Sequence, residues 1–210
     1  MKIFFEQNKT FITLLFIACI CLYGCGSKSS DKGEQVVEKE EVPRILQVAD
    51  LRERVNNEAS LTEEFKALVN KQLDGKAKPT FDAIEWVQLA GTYAGNVGYE
   101  KAIPSFKFGT KLFPTVTHSH YYLGDAYVEI ADTTNAITCF NKAYEVDNRN
   151  NNAKDIVSWL NNPQLATEHN KICPPCYCNQ HKYKFKDASI CIVCSMPLVV
   201  VDTEEGAPED

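Results

Sequence analysis

A block of 34 residues occurs twice, back to back, in the middle of this 210-residue chain, and it restricts the fold more than any other feature. The first copy reads Trp86-x2-Leu89-Ala90-x2-Tyr93, then Ala102-x3-Phe106, then Pro114. The second reads His120-x2-Leu123-Gly124-x2-Tyr127, then Ala136-x3-Phe140, then Asn148. Leu89 and Leu123, Tyr93 and Tyr127, Ala102 and Ala136, and Phe106 and Phe140 are each 34 apart. Within each copy, large and small residues alternate at helical offsets, the pattern needed to interlock two helices. The spacing predicts helices over 82–95 and 99–112, then 117–130 and 133–146. Ala102 and Ala136 let the paired helices approach, and Phe106 and Phe140 fill the space beside them. Pro114 stops the first unit, and the turn residues Asp147-Asn148-Arg149-Asn150 stop the second. Two residues run against the pattern. Pro104 should remove a hydrogen bond or delay its helix. Gly109 should cost ~1 kcal/mol relative to alanine.

The period and these residue types resemble the tetratricopeptide repeat, a helix-turn-helix unit that stacks into a solenoid. The resemblance implies a mainly α fold and a surface for other proteins rather than a site of chemistry. It also implies a concave groove lined by the first helix of each unit. The matching positions are Ile84, Val87, Gly91 and Ala94, then His118, Tyr121, Asp125 and Val128. Val87, His118, Tyr121 and Asp125 are the main candidates for contact with a partner, although simple packing against neighbouring helices is an equal alternative for each. The lysine and asparagine carboxylate clamp of chaperone-binding members is absent from these positions.

Flanking segments cap the stack. Ile45–Asn57 and Leu61–Leu73 both have helical spacing, with Leu61, Phe65, Leu68, Val69 and Leu73 on one stripe. Ser60 with Glu63 three residues later has the form of a capping box, and Gly75 and Pro79 close the helix. Residues 44–79 thus form an N-terminal helix pair. Asn151–Leu160, with Ile156, Val157, Trp159 and Leu160, is a last amphipathic helix, so that 80–162 holds the solenoid and its cap.

The first residues carry an address. Lys2 and Lys9 precede an apolar run from Phe11 to Leu22, too short to span a bilayer. A basic start, a short apolar stretch and a small residue just beyond describe a secretory signal peptide. Leu22-Tyr23-Gly24-Cys25 resembles the bacterial lipoprotein lipobox. That resemblance implies cleavage after Gly24, removal of residues 1–24 and a covalent lipid on Cys25. An uncleaved anchor is the competing expectation. Gly26, where an aspartate would signal inner-membrane retention, points to the outer membrane. The stretch from Gly26 to Pro43 is poor in apolar residues, so 25–43 reads as the acylated cysteine and a flexible tether. Residues 202–210 form a loose acidic tail. The net charge of −6 contains no basic cluster suited to nucleic acid. Lipid rather than charge must then hold the chain at a membrane.

Residues 170–201 contain a second unit of organisation. Cys173, Cys176, Cys178, His181, Cys191 and Cys194 fall within 22 residues, a metal-site composition. Cys173/Cys176 with Cys191/Cys194 gives C-x2-C-x14-C-x2-C, close to a zinc ribbon. A second arrangement, Cys178-Asn-Gln-His181 followed by Cys191-x2-Cys194-Ser-Met196-x-Leu198, resembles the small heavy-metal-binding domain fused to some metal-export proteins. That resemblance implies roles for Cys178, His181, Cys191, Cys194 and Met196. Here Asn179-Gln180, Ile192 and Ser195 replace its Pro-Met, proline and glycine. Cys191 and Cys194 serve both schemes; the other donors compete. Soft thiolates with at most one imidazole favour zinc or copper(I). Two disulfides with a spare cysteine, or a redox pair, remain open alternatives. Lys182-Tyr-Lys-Phe-Lys alternates like a hairpin strand.

No phosphate loop, paired acids or Ser/His/Asp set is present, which excludes the familiar catalytic constellations and any evident small-molecule substrate. Cys139 reads as a buried, inert thiol. The expectation is a membrane-anchored scaffold for an unidentified envelope protein, with a structural zinc module. An envelope carrier or sensor of copper or zinc is the alternative, and a thiol-disulfide redox protein the second.

Overall fold

A computed structural model describes residues 44–149, 151–162, 164, 169–174, 178 and 180–201. The expected signal peptide, Cys25, the tether, Cys176 and the acidic tail lie outside the described residues.

Seven helices dominate the described chain, and the repeat spacing sets the middle four. Helices α3 (Ala83–Val97), α4 (Tyr99–Leu112), α5 (Thr117–Glu129) and α6 (Thr133–Val146) fall within two residues of the expected bounds. Each packs on the next, and α3 also meets α5. Every repeated position is buried: Leu89, Tyr93, Ala102 and Phe106, then Leu123, Tyr127, Ala136 and Phe140. Only Gly98 separates α3 from α4, at φ 90°, where a side chain would be strained. Asp82 caps α3 by accepting from Ile84 and Glu85 N–H, and the Glu85 carboxylate returns to the Asp82 N–H. Pro104 does not delay α4, which begins at Tyr99 and runs through it.

Gly109 reverses its expected sign. A Cβ there would stand 2.5 Å from Trp86 Cδ1 and 2.6 Å from Trp86 Nε1. The Cδ1–Nε1 edge of the indole meets the glycine, and Nε1 donates to Ser105 O at 2.9 Å. Packing, not helix propensity, selects glycine here.

The N-terminal segment differs in detail from expectation. Helix α1 (Val48–Asn57) starts only at Val48, because Ile45–Gln47 forms strand β1, antiparallel to β2 (Thr80–Asp82) with Leu46 opposite Phe81. Leu46 and Phe81 are both buried, so this small ribbon fastens α1 to the start of α3. Helix α2 runs Glu63–Asp74, and its N-cap is Thr62, whose Oγ1 accepts from Phe65 N–H. Ser60 instead bonds Glu58, because Leu61 turns into the core ahead of the helix. Phe65 packs edge-on to Trp86 at 5.4 Å, joining α2 to α3.

Helix α7 (Asn152–Asn161) packs on α6. After it come strands β3 (Lys171–Ile172) and β4 (Val199–Val200), paired antiparallel, and a 3-10 turn at Gln180–Lys182. The alternation expected over 182–186 survives as burial: Tyr183 and Phe185 are fully buried. Its ladder is a single bridge, Phe185 opposite Lys171. Tyr183, Phe185 and Ala188 belong to the same apolar core as the helices.

Candidate metal centre

The knuckle carrying Cys191 and Cys194 is a tight hairpin. Ile190 bridges Pro197, and Leu198 N–H donates to Ser189 O at 2.9 Å. Inside it, Cys191 N–H donates to Met196 O and Ser195 N–H to Cys191 O, both at 2.9 Å. Ser195 sits at φ 58°, a left-handed conformation that suits glycine better.

Four sulfurs converge, those of Cys173, Cys178, Cys191 and Cys194, all within 4.8 Å of one another. Cys173 Sγ lies 3.6 Å from Cys178 Sγ and 3.5 Å from Cys194 Sγ, and Cys178 Sγ lies 4.0 Å from Cys191 Sγ. A disulfide would require about 2.05 Å. Four thiolates around a zinc ion at ~2.3 Å would stand about 3.8 Å apart, the edge of that tetrahedron. The cluster has the size of a tetrahedral zinc site. Cys173 and Cys191 are buried, Cys178 and Cys194 partly so. Burial, then hydrogen bonding to the neighbouring thiols, pushes the Cys173 thiol far up, and burial raises Cys191 as well. Thiols crowded in this way keep their protons unless a cation offsets the charge of the thiolates.

Among the described residues, the converging set takes Cys173 from the ribbon-like pairing and Cys178 from the second, in the pattern C-x4-C-x12-C-x2-C; Cys176 lies outside them. Cys191 and Cys194, common to both, are brought together as expected. His181 lies in the 3-10 turn, and its side chain is outside what the structure describes.

Helices α5 and α7 hold this centre in place through polar groups that helical spacing alone did not single out. Asn152 is buried; its Nδ2 donates to Ile190 O at 2.8 Å and its Oδ1 accepts from Ile192 N–H at 3.2 Å, gripping the backbone on both sides of Cys191. Asp155, 2% exposed, accepts three backbone N–H groups on one oxygen, from Lys186, Asp187 and Ala188, at 2.9, 2.8 and 2.8 Å. His118 Nε2 lies 3.3 Å from Ile192 O.

The helix face expected to form a partner groove is where this module sits. Tyr121 is fully buried and donates to Gln180 Oε1 at 2.6 Å. Asp125 accepts from Tyr183 O–H at 2.6 Å and pairs with Lys182 Nζ at 2.8 Å. Lys182 also pairs with Glu129. Burial works against the Lys182 charge, but Asp125 and Glu129 outweigh it and raise its pKa. Burial and then Asp125 drive the Tyr183 hydroxyl far up. On α3, Val87 and Ala94 are buried, while Ile84 is exposed. Cys139 is half-buried on α6, and burial pushes its thiol up to about 11.

The described residues include no helix long and apolar enough to cross a membrane. No protein-family model matches the sequence, and comparison with curated proteins finds no match.

Proposed function

We propose that this chain is a lipid-anchored, non-catalytic scaffold of the bacterial cell envelope. In this reading a short tetratricopeptide-type stack carries a zinc-stapled C-terminal module. The observation that carries the zinc assignment is the set of four sulfurs within 4.8 Å of one another, three of the pairs at 3.5–4.0 Å, near the spacing of a tetrahedral thiolate site. Buried ligands, with Asn152 and Asp155 fixing the backbone around them, favour a structural ion over a carried one. Zinc, if bound, would offset half of the thiolate charge and close the loops between the cysteines. The two 34-residue units and their buried repeat positions support the stack. Leu22-Tyr23-Gly24-Cys25 supports the anchor.

Bound metal and reactive thiols should be measured together on the exported protein. About one zinc per chain, resistant to mild chelation, is expected. Absence of metal, with the cluster cysteines oxidised, would overturn the zinc reading; readily exchanged copper or zinc would favour a carrier. Cys25→Ala should move the protein out of the membrane fraction, and unchanged fractionation would remove the lipid anchor.

A further inference from the structure

We propose that α5 presents a binding face for short basic–aromatic peptides, and that the chain's own segment Gln180–Phe185 closes that face for as long as the thiolate cluster holds its metal. This rests on the zinc reading above. Tyr121, Asp125 and Glu129 follow one another at i, i+4 and i+8 on α5, so one stripe of the helix presents a tyrosine hydroxyl and two carboxylates. The occupant answers each group: Gln180 takes the Tyr121 hydroxyl, Lys182 pairs with both acids, and the Tyr183 hydroxyl donates to Asp125. The Tyr183 ring fills a slot between Phe140 at 6.1 Å and Trp159 at 5.8 Å, edge-on to both. The face therefore selects a lysine followed by a tyrosine, the lysine at the end of a 3-10 turn. That charge and ring pattern is written in the chain itself.

Little regular structure holds the occupant there. It contributes one 3-10 turn and one bridge, and it lies in the 12-residue loop between Cys178 and Cys191. A metal that joins those two cysteines closes the loop and raises the local concentration of the segment at α5. Without the metal the same contacts must be made by a looser loop, and an outside peptide competes on better terms. Linkage requires the converse: a peptide that takes the face lowers the affinity for the metal by the same factor.

The test uses the full chain, thiols kept reduced, and a fluorescent peptide of this chain's sequence 180–186, Gln-His-Lys-Tyr-Lys-Phe-Lys. A control peptide carries alanine in place of tyrosine and glutamate in place of the first lysine. Anisotropy should show at least tenfold tighter binding to the chelator-stripped chain than to the zinc-loaded one. Asp125→Asn should reduce binding to the stripped chain. In a second arm, excess peptide should speed zinc transfer to a chromogenic chelator severalfold, and the control peptide should not. Equal binding with and without zinc, together with an unchanged transfer rate, overturns the proposal. Should the stripped chain lose its helical far-UV signal, the transfer arm decides alone. A chain that binds no zinc at the outset refutes the metal reading, and the gating with it. One that binds zinc tightly yet ignores the peptide refutes the gating only.

Discussion

Asp155→Ala should loosen the metal module although it removes no metal ligand. The carboxylate accepts three backbone N–H groups through one oxygen at 2.8–2.9 Å, in a site 2% exposed. Of the three donors, that of Ala188 is buried and those of Lys186 and Asp187 are partly exposed. Stranding the buried donor costs about 1–3 kcal/mol. The other two recover water and cost about 0.5–1 kcal/mol each. Removing a carboxylate that had been taken out of water returns part of this, leaving a net loss of roughly 2–4 kcal/mol. Asp155→Asn keeps an acceptor oxygen but loses the charge, and should lose about half as much. Urea unfolding of the zinc-loaded chain measures both, and hydrogen exchange at Lys186, Asp187 and Ala188 places the effect. A loss under about 0.5 kcal/mol, with exchange at those amides unchanged, would mean that Asp155 is not a clasp.

Gly109→Ala should destabilise by about 2 kcal/mol, since the clash with Trp86 outweighs the ~1 kcal/mol that alanine adds to an isolated helix; a raised urea midpoint would show that the indole can move aside. Ser195→Gly should raise the melting temperature of the zinc-loaded chain, gaining about 0.5–1 kcal/mol by relieving a left-handed serine; no change would place the strain elsewhere. With its thiol pushed up to about 11, Cys139 should be alkylated by iodoacetamide at pH 8 about a hundredfold more slowly than an exposed cysteine. Its rate should climb about tenfold per pH unit from 8 to 10, and a flat profile would contradict the burial effect.

The helices were readable because a repeated 3.6-residue pattern over 34 positions leaves few alternatives. Leu89, Tyr93, Ala102 and Phe106 with their counterparts fixed both number and position. Gly109 was misjudged because propensity is local, whereas its partner Trp86 lies 23 residues away on another helix. Strands β1 and β2 are three residues each, too short to show a period. The cysteine run had a metal-site composition without declaring its donors: Cys173, Cys176 and Cys178 are chemically equivalent, and spacing alone does not say which of them meet Cys191 and Cys194. Asn152 and Asp155 did leave a trace. They lie on the same stripe of α7 as Ile156 and Trp159, at i, i+3, i+4 and i+7, where polar residues have no place unless something hydrogen-bonds to them.

The module and the helices are therefore one cooperative body. The described part of residues 170–201 contains two strands of two residues each and no helix longer than a 3-10 turn, far too little to bury a core of its own. Three supports come from outside that backbone: the ion proposed at the four sulfurs, the slot between Phe140 and Trp159, and the polar grip of α7. Each is weak unless the other two hold the chain in register. A bound ion would close the loop that delivers Tyr183 to its slot, the slot fixes the loop against α5, and Asn152 sets the knuckle that presents Cys191. Metal affinity and helical stability are then the same free energy seen from two sides. A mutation on α7 should weaken zinc binding as surely as chelation lowers the stability of the whole.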